Sequence, residues 1–403
     1  MKIIKKDGTV EGWNGEKIKE AVYKAAARVN QYVEPDVLNK LVEKVHSCLI
    51  IDRDAPTKDL HKEVIHYLKY FGLTDVANSY QEYRDYKNTY AKSFEKVKDE
   101  ADNVLLLGDR ENANFDSSLV STKGSLIKGY LTKELYRQFY LSKEEKELTK
   151  RGDIYIHDMR DMLMGSVNCC LFDIGNVLRG GFSMSNVDYT EPTSVLSALQ
   201  VIGDITLVAT AQQFGGFSLS QLDMVLLPYC HKTLEKAYEH AKHSFPDEGR
   251  FAWISYSKDT LKNELKQGFQ SLELKLNTVP CSRGDFAFTT ISFGCWNAPQ
   301  WLGRYLTNKD LWILKEICEA ILTTRMNGHG ENHKPVVFPK LVYLYEENYL
   351  SAFQEARDVF ELAIECSSKC MYPDFLSLTG DWAHSSVGKQ YMENKQVVTP
   401  MGA

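Results

Sequence analysis

Long helix-periodic segments alternate with short apolar runs over residues 193–369, and this alternation constrains the fold more than any other feature of the sequence. Helices are predicted at 193–213, 218–244, 257–277, 309–325 and 351–369. Between them, 286–295 (Phe-Ala-Phe-Thr-Thr-Ile-Ser-Phe-Gly-Cys) and Pro335 to Tyr345 are β-prone. Strands separated by whole helices are the pattern of a parallel sheet, so the expectation is an α/β arrangement. Upstream, a Lys- and Glu-rich helix is expected over 121–150, and 154–178 mixes short apolar runs with polar residues.

The N-terminal stretch has a different texture. Lys2 to Lys6 is strand-like, Asp7-Gly8 is a turn signal, and Val10 to Trp13 can return as a second strand. Ile18, Val22, Ala25 and Val29 recur at helical spacing, as do Val37, Leu41 and Val45. Asp59 to Tyr70 follows Pro56-Thr57, with Thr57 placed to cap that helix. A fourth helix is expected from Thr74 to about Tyr90. Residues 91–112 are charged and aperiodic, which predicts a linker. The usual ~150 residues per domain suggests two or three domains in 403 residues, and a boundary near residue 95 divides the chain into 1–95 and 96–403.

Composition excludes several classes. The chain is 43% hydrophobic and 25% charged, ordinary for a globular protein rather than a disordered or collagen-like one. No apolar stretch approaches the ~20 residues of a membrane span, and the N-terminus lacks the apolar run of a signal peptide. The expected location is therefore the cytoplasm. A net charge of -6, from 48 basic and 54 acidic residues, argues against general nucleic-acid binding. The nine cysteines are irregularly spaced with no Cys-x-x-Cys, so neither a disulfide framework nor a metal site is expected in this chain.

Several clusters could carry chemistry. Lys5 and Lys6 beside a tight turn, Lys17, and Thr57 with His61 and Lys62 have the ingredients of a phosphate site; the plainer alternative is solvated surface charge. His157-Asp158 could be a base with its orienting carboxylate, but on a strand the two would face opposite sides. Asn168-Cys169-Cys170 is either a pair of buried thiols or one thiol facing a cleft. Cys366 and Cys370 sit one helical turn apart without a third ligand, and His329 and His333 read as loop residues rather than a ligand pair. The glycines at 180–181 and 215–216 match no phosphate loop and read as turns or close packing points.

Spacing adds a resemblance. Lys5-Lys6-Asp7-Gly8-Thr9-Val10-Glu11-Gly12-Trp13-Asn14-Gly15-Glu16-Lys17-Ile18, followed by Thr57-Lys58-Asp59-Leu60-His61, resembles the ATP-cone, a regulatory module of ribonucleotide reductases. The resemblance implies that Lys5, Lys6, Glu11, Asn14, Lys17, Thr57 and His61 contact ATP or dATP, with Mg as counter-ion. The second basic position is more often Arg, and Lys6 keeps the charge without the bidentate geometry. Further along, Glu111-Asn112-Ala113-Asn114, Arg151-Gly152-Asp153-Ile154 with His157-Asp158, Asn168-Cys169 and Phe338-Pro339-Lys340-Leu341 resemble the anaerobic (class III) ribonucleotide reductases. So do Ser368-Lys369-Cys370-Met371-Tyr372-Pro373-Asp374 and Thr399-Pro400-Met401-Gly402.

That family implies a ten-stranded α/β barrel of the glycyl-radical type, of which this chain would supply the first part. It implies reduction of ribonucleoside triphosphates, with a glycyl radical generating a thiyl radical and formate as reductant. It also implies a radical-SAM activating enzyme and a homodimer. Cys169 and Asn168 match its early barrel strand, and Met401 its approach to the thiyl cysteine. Here Met401-Gly402 is followed by Ala403, so the thiyl cysteine, the four-cysteine zinc site and the glycyl-radical loop are expected beyond this sequence. The chain alone is not expected to reduce nucleotides, and a complementing C-terminal fragment is the implied partner. A partial chain, a split gene or an intein junction would each give this ending. The alternative function is a nucleotide-binding regulatory or assembly subunit without catalysis of its own.

Overall fold

The computed structural model describes residues 2–5, 8–49, 54–106, 116–165, 167–213, 215–281, 284–299, 302–380 and 393. Contacts divide the chain into two units, Met1–Asp99 and Glu100–Ala403.

In the first unit, strand β1 (Lys2–Ile4) pairs antiparallel with β2 (Val10–Gly12) and parallel with β3 (Ala55–Pro56). Gly8 turns the hairpin at φ +79°, a conformation that suits glycine. Helices α1 (Gly15–Arg28), α2 (Pro35–Cys48), α3 (Thr57–Tyr70) and the start of α4 (Thr74–Leu106) supply the core. Ile18, Val22 and Ala25 meet Leu38, Leu41, Val45, Val64, Leu68 and Val76 there. In α2 the buried stripe runs through Leu38 rather than Val37, and Val29 is the exposed C-cap of α1 rather than part of its face. The linker expected from residue 91 is helix as far as Leu106. Lys, Glu and Asp carry no periodic apolar signal, yet straight-chain charged residues favour helix about as well as leucine. Residues 107–112 of that expectation lie outside the described residues.

The second unit is built on a five-stranded sheet in the order β10-β9-β8-β7-β4, every neighbouring pair parallel. Its strands are β4 (Cys170–Leu171), β7 (Phe217–Leu219), β8 (Thr289–Phe293), β9 (Lys340–Tyr345) and β10 (Asp374–Ser377). A short helix, α7 (Ile174–Leu178), and a separate hairpin, β5 (Phe182–Met184) with β6 (Val187–Tyr189), lie between β4 and β7 in sequence. The crossovers are α8 (Val195–Thr210), α9 (Leu222–Ser244), α10 (Gly249–Thr278), α11 (Asn308–Asn327) and α13 (Gln354–Cys370), so the expected parallel α/β arrangement is present. Tyr343 joins the layers, with its ring 5.8 Å from Phe293 and 5.9 Å from Phe360 of α13.

The expected helix at 121–150 is two, α5 (Val120–Phe139) and α6 (Lys143–Arg151). The break is set by Ser142, whose side chain forms a capping box with Glu145. The helix expected from residue 218 begins at Leu222, because Phe217–Leu219 forms β7 first. The strand expected from Pro335 begins at Lys340, and a short helix, α12 (Glu347–Ala352), precedes α13. No helix among the described residues is long and apolar enough to cross a membrane.

Candidate functional sites

The first site is a cavity of about 230 Å³ in the N-terminal unit. Six of the seven residues expected to contact nucleotide line it: Lys5, Glu11, Asn14, Lys17, Thr57 and His61. The seventh, Lys6, lies outside the described residues. Ile3, Trp13, Ile18 and Leu60 add apolar wall, and Tyr80 comes from α4.

Each polar group is held by a definable contact. Glu11 receives both lysines, Lys5 Nζ at 2.7 Å on one carboxylate oxygen and Lys17 Nζ on the other. Hydrogen bonds from Lys17 and then Lys5 hold its carboxyl down to about 2, so Glu11 is ionised at any physiological pH. Asn14 caps α1, its Oδ1 accepting from the Glu16 N–H at 3.0 Å. Thr57 is not the expected cap. Pro56 holds the cap position without a side-chain bond, while Thr57 Oγ1 donates to the Ile4 carbonyl at 2.8 Å, pinning α3 to β1. Thr57→Val is therefore expected to lower the unfolding free energy by about 1 kcal/mol, read by urea titration, through loss of one part-buried hydrogen bond. His61 Nδ1 lies 2.6 Å from Tyr80 Oη. Burial pushes the Tyr80 phenol above its usual range, so it stays protonated and can donate to Nδ1, leaving Nε2 for a ligand. Tyr80 is the member sequence reasoning missed, since nothing in its helical spacing marks it.

The second site lies where β4 and β7 begin. The chain approaching β7 runs beside the chain approaching β4, with a parallel bridge between Val167 and Gln213. Gly215 N–H donates to Asn168 O at 2.5 Å, and Cys170 N–H donates to Gly216 O at 3.0 Å. Between these bonds the Gly216 N–H donates to Cys169 Sγ at 3.2 Å, and the Cys169 thiol points its hydrogen toward Asn168 Oδ1 at 3.5 Å. The vicinal cysteines thus have different environments. Cys169 is oriented by the glycine backbone, whereas Cys170 packs on the main core and burial pushes its thiol up. Gly215 is a close packing point, as expected: a Cβ there would fall 2.4 Å from Cys169 Sγ. Nearby, a cavity of about 420 Å³ is bordered by Ser121, Ser125 and Lys128 of α5, by Arg160 and Asp161, and by Gln213. Met401 lies outside the described residues.

The remaining candidates resolve into structural contacts. His157 and Asp158 are in a turn rather than a strand, and Asp158 at φ +49° brings its carboxylate onto His157 Nδ1, contrary to the opposite-face expectation. Cys366 is fully buried, its thiol pushed up to about 12, and its Sγ lies 3.6 Å from Leu322 O. Cys370 Sγ lies 3.8 Å from Arg325 O. His329 Nε2 lies 3.0 Å from Glu273 Oε2, while His333 Nδ1 lies 2.7 Å from Asn327 O. Among the described residues no group of three or more His, Cys, Asp or Glu could hold a metal.

A parallel α/β sheet presenting an oriented thiol thus follows, in sequence, a small unit with a cation-flanked cavity. Residues 111–403 match the family model of anaerobic ribonucleoside-triphosphate reductase, and residues 1–89 match that of the ATP cone domain. The chain belongs to the anaerobic ribonucleoside-triphosphate reductase family and carries an ATP cone. Anaerobic ribonucleoside-triphosphate reductase of Haemophilus influenzae is 30% identical over 393 residues, 93% of this chain and 52% of that protein. The enzyme of the same name from Enterobacteria phage T4 is 31% identical over 295 residues, 72% of this chain and 44% of that one. The chain thus spans about half the length of the curated relatives it matches. Among solved structures, the anaerobic ribonucleotide reductase of Thermotoga maritima in complex with dATP and CTP aligns at 17% identity, covering 74% of this chain and 50% of that one, with a TM-score of 0.48.

Proposed function

We propose that this chain supplies the allosteric cone and the first part of the catalytic barrel of an enzyme that reduces ribonucleoside triphosphates to deoxyribonucleotides. The observation that carries the regulatory half is the convergence of Lys5, Glu11, Asn14, Lys17, Thr57 and His61 on one cavity. ATP or dATP would place its base against the apolar wall and its phosphates, with Mg, on Lys5, Lys6 and Lys17. Those phosphates would take the lysines over from Glu11, exchanging one anionic partner for another.

For the chemistry, Cys169 is the proposed hydrogen donor at the 2′-position of the ribose, with Asn168 beside it. The substrate would enter along the cavity bordered by Lys128, Arg160 and Gln213. In the whole enzyme a glycyl radical would supply the one-electron oxidising equivalent, and Met401 would flank the thiyl cysteine. Formate as reductant, a radical-SAM activating enzyme and a homodimer complete the proposal, with a zinc site expected only in the C-terminal part.

Calorimetric titration of this chain with dATP is expected to show submillimolar binding. The Lys5→Ala/Lys17→Ala double variant should bind at least about a hundredfold more weakly, since each charge-assisted phosphate contact contributes about 1.5–3 kcal/mol. Absence of binding by the unaltered chain would overturn the proposed nucleotide site.

A further inference from the structure

Gln213 is 3% exposed, and its amide is turned back onto its own loop instead of into the core. Its Nε2 donates to Gly215 O at 3.0 Å and to Gly216 O at 2.7 Å. Both partners are acceptors, so hydrogen-bond chemistry fixes which end of the amide faces them. The same two glycines make the contacts that orient the vicinal cysteine segment. Gly215 N–H holds Asn168 O, Gly216 O receives the Cys170 N–H, and Gly216 N–H meets Cys169 Sγ. Two adjacent glycines have the widest backbone freedom of any pair and do not hold an N–H on a sulfur by themselves. The backbone bonds through Gly215 N–H and Gly216 O restrict them in part, and the two donors of one buried amide add the side-chain restraint, which alone holds Gly215 O among the described contacts.

We propose that Gln213 is a positioning residue for the Cys169 thiol, acting through the Gly215-Gly216 backbone and not through the reacting atoms. The functional weight of this inference rests on the reading of Cys169 as the hydrogen donor. Glutamine is suited to the task because it alone among residues of its shape offers two donors. Glutamate would set a carboxylate against two carbonyl oxygens, and methionine would fill the space with no donor at all.

The test uses the full chain, reduced, with Gln213→Met and Gln213→Glu variants. Alkylation of Cys169 by N-ethylmaleimide, resolved by mass spectrometry and normalised to the exposed Cys48, is read beside amide exchange across residues 213–217. Loss of the two bonds is expected to raise amide exchange roughly tenfold in Gln213→Met, and more in Gln213→Glu, with the Cys169 rate changing in the same order. A space-filling role predicts instead that Gln213→Met matches the unaltered chain in both readouts, and that result would overturn the proposal. Should Gln213→Met fail to fold, Cys169→Ser provides the second arm. Exchange at 215–217 should then stay within about twofold of the unaltered chain, because the amide and not the thiol holds the loop. A tenfold rise there would also overturn it. Failure of the Cys169 reading itself shows elsewhere, as an active Cys169→Ser enzyme, and leaves these two readouts unaffected.

Discussion

Cys169→Ser is expected to abolish nucleotide reduction when the chain is assayed with a polypeptide covering the other half of its relatives, together with an activating enzyme and formate. The loss should be three orders of magnitude or more, roughly the scale seen when an essential reacting group is removed. A serine O–H is a far poorer hydrogen-atom donor than a thiol, yet it can still accept from Gly216 N–H, so the loop geometry is kept while the chemistry is not. Cys170→Ser is the matched control. Cys170 is partly buried against the main core, so the expected effect is some loss of stability with activity within a few-fold of the unaltered chain. Equal losses in both variants would mean that the two thiols act interchangeably, against the asymmetry of their surroundings. Full activity in Cys169→Ser would remove this thiol from the mechanism.

Gly215→Ala is the second large effect. A Cβ at this position would lie 2.2 Å from Asn168 Oδ1, 2.4 Å from Cys169 Sγ and 2.6 Å from Asn168 O. The last of these is backbone, and it cannot retreat without breaking the Gly215 N–H bond that it accepts. Overpacking without room to relax costs about 1–3 kcal/mol, and the loss here should fall at the upper end because three contacts conflict at once. Urea titration should show the shift, and mass-resolved alkylation should show Cys169 changing more than the other thiols. Gly124→Ala, a helical glycine with open space around its would-be Cβ, should instead be neutral or stabilising by up to about 1 kcal/mol. If both alanines behaved alike, the crowding at Gly215 would not be a constraint.

The elements that read most directly from the sequence are those with strong periodicity. The helix predicted at 193–213 appears as α8 from Val195 to Thr210, and the strand predicted at 286–295 appears as β8. The short strands were hidden: β7 has three residues and β4 two, too few for alternation to register. At the cone, six of the seven residues that the resemblance implies converge on one cavity, because β1, β2 and the start of α1 are close in sequence and β3 returns beside them. Their pairings were not legible. Thr57 looks like a cap by position, but Pro56 before it takes the cap dihedral and frees the hydroxyl to reach Ile4. At the second site, Asn168-Cys169-Cys170 stands out as a candidate from its residues, but only the resemblance singles out Cys169 of the two thiols. Its support comes from residues 213–216, which the fold brings alongside, and nothing in Gln213-Phe214-Gly215-Gly216 taken alone announces that duty.

The ion triad of Lys5, Glu11 and Lys17 has a consequence for selectivity among anions. Because one carboxylate, Glu11, is shared by two lysines, the triad offsets one of their two positive charges and leaves the other. A bare polyphosphate arriving there would compete with that one carboxylate for both lysines, which trims what it gains from them without cancelling it. Under the proposed function, a nucleotide would gain further affinity that a bare anion lacks, from a flat apolar base set against the wall of Ile3, Trp13, Ile18 and Leu60. On that proposal the glutamate would shift the pocket's selectivity towards the base, even though most of its charged side chains would touch the phosphates.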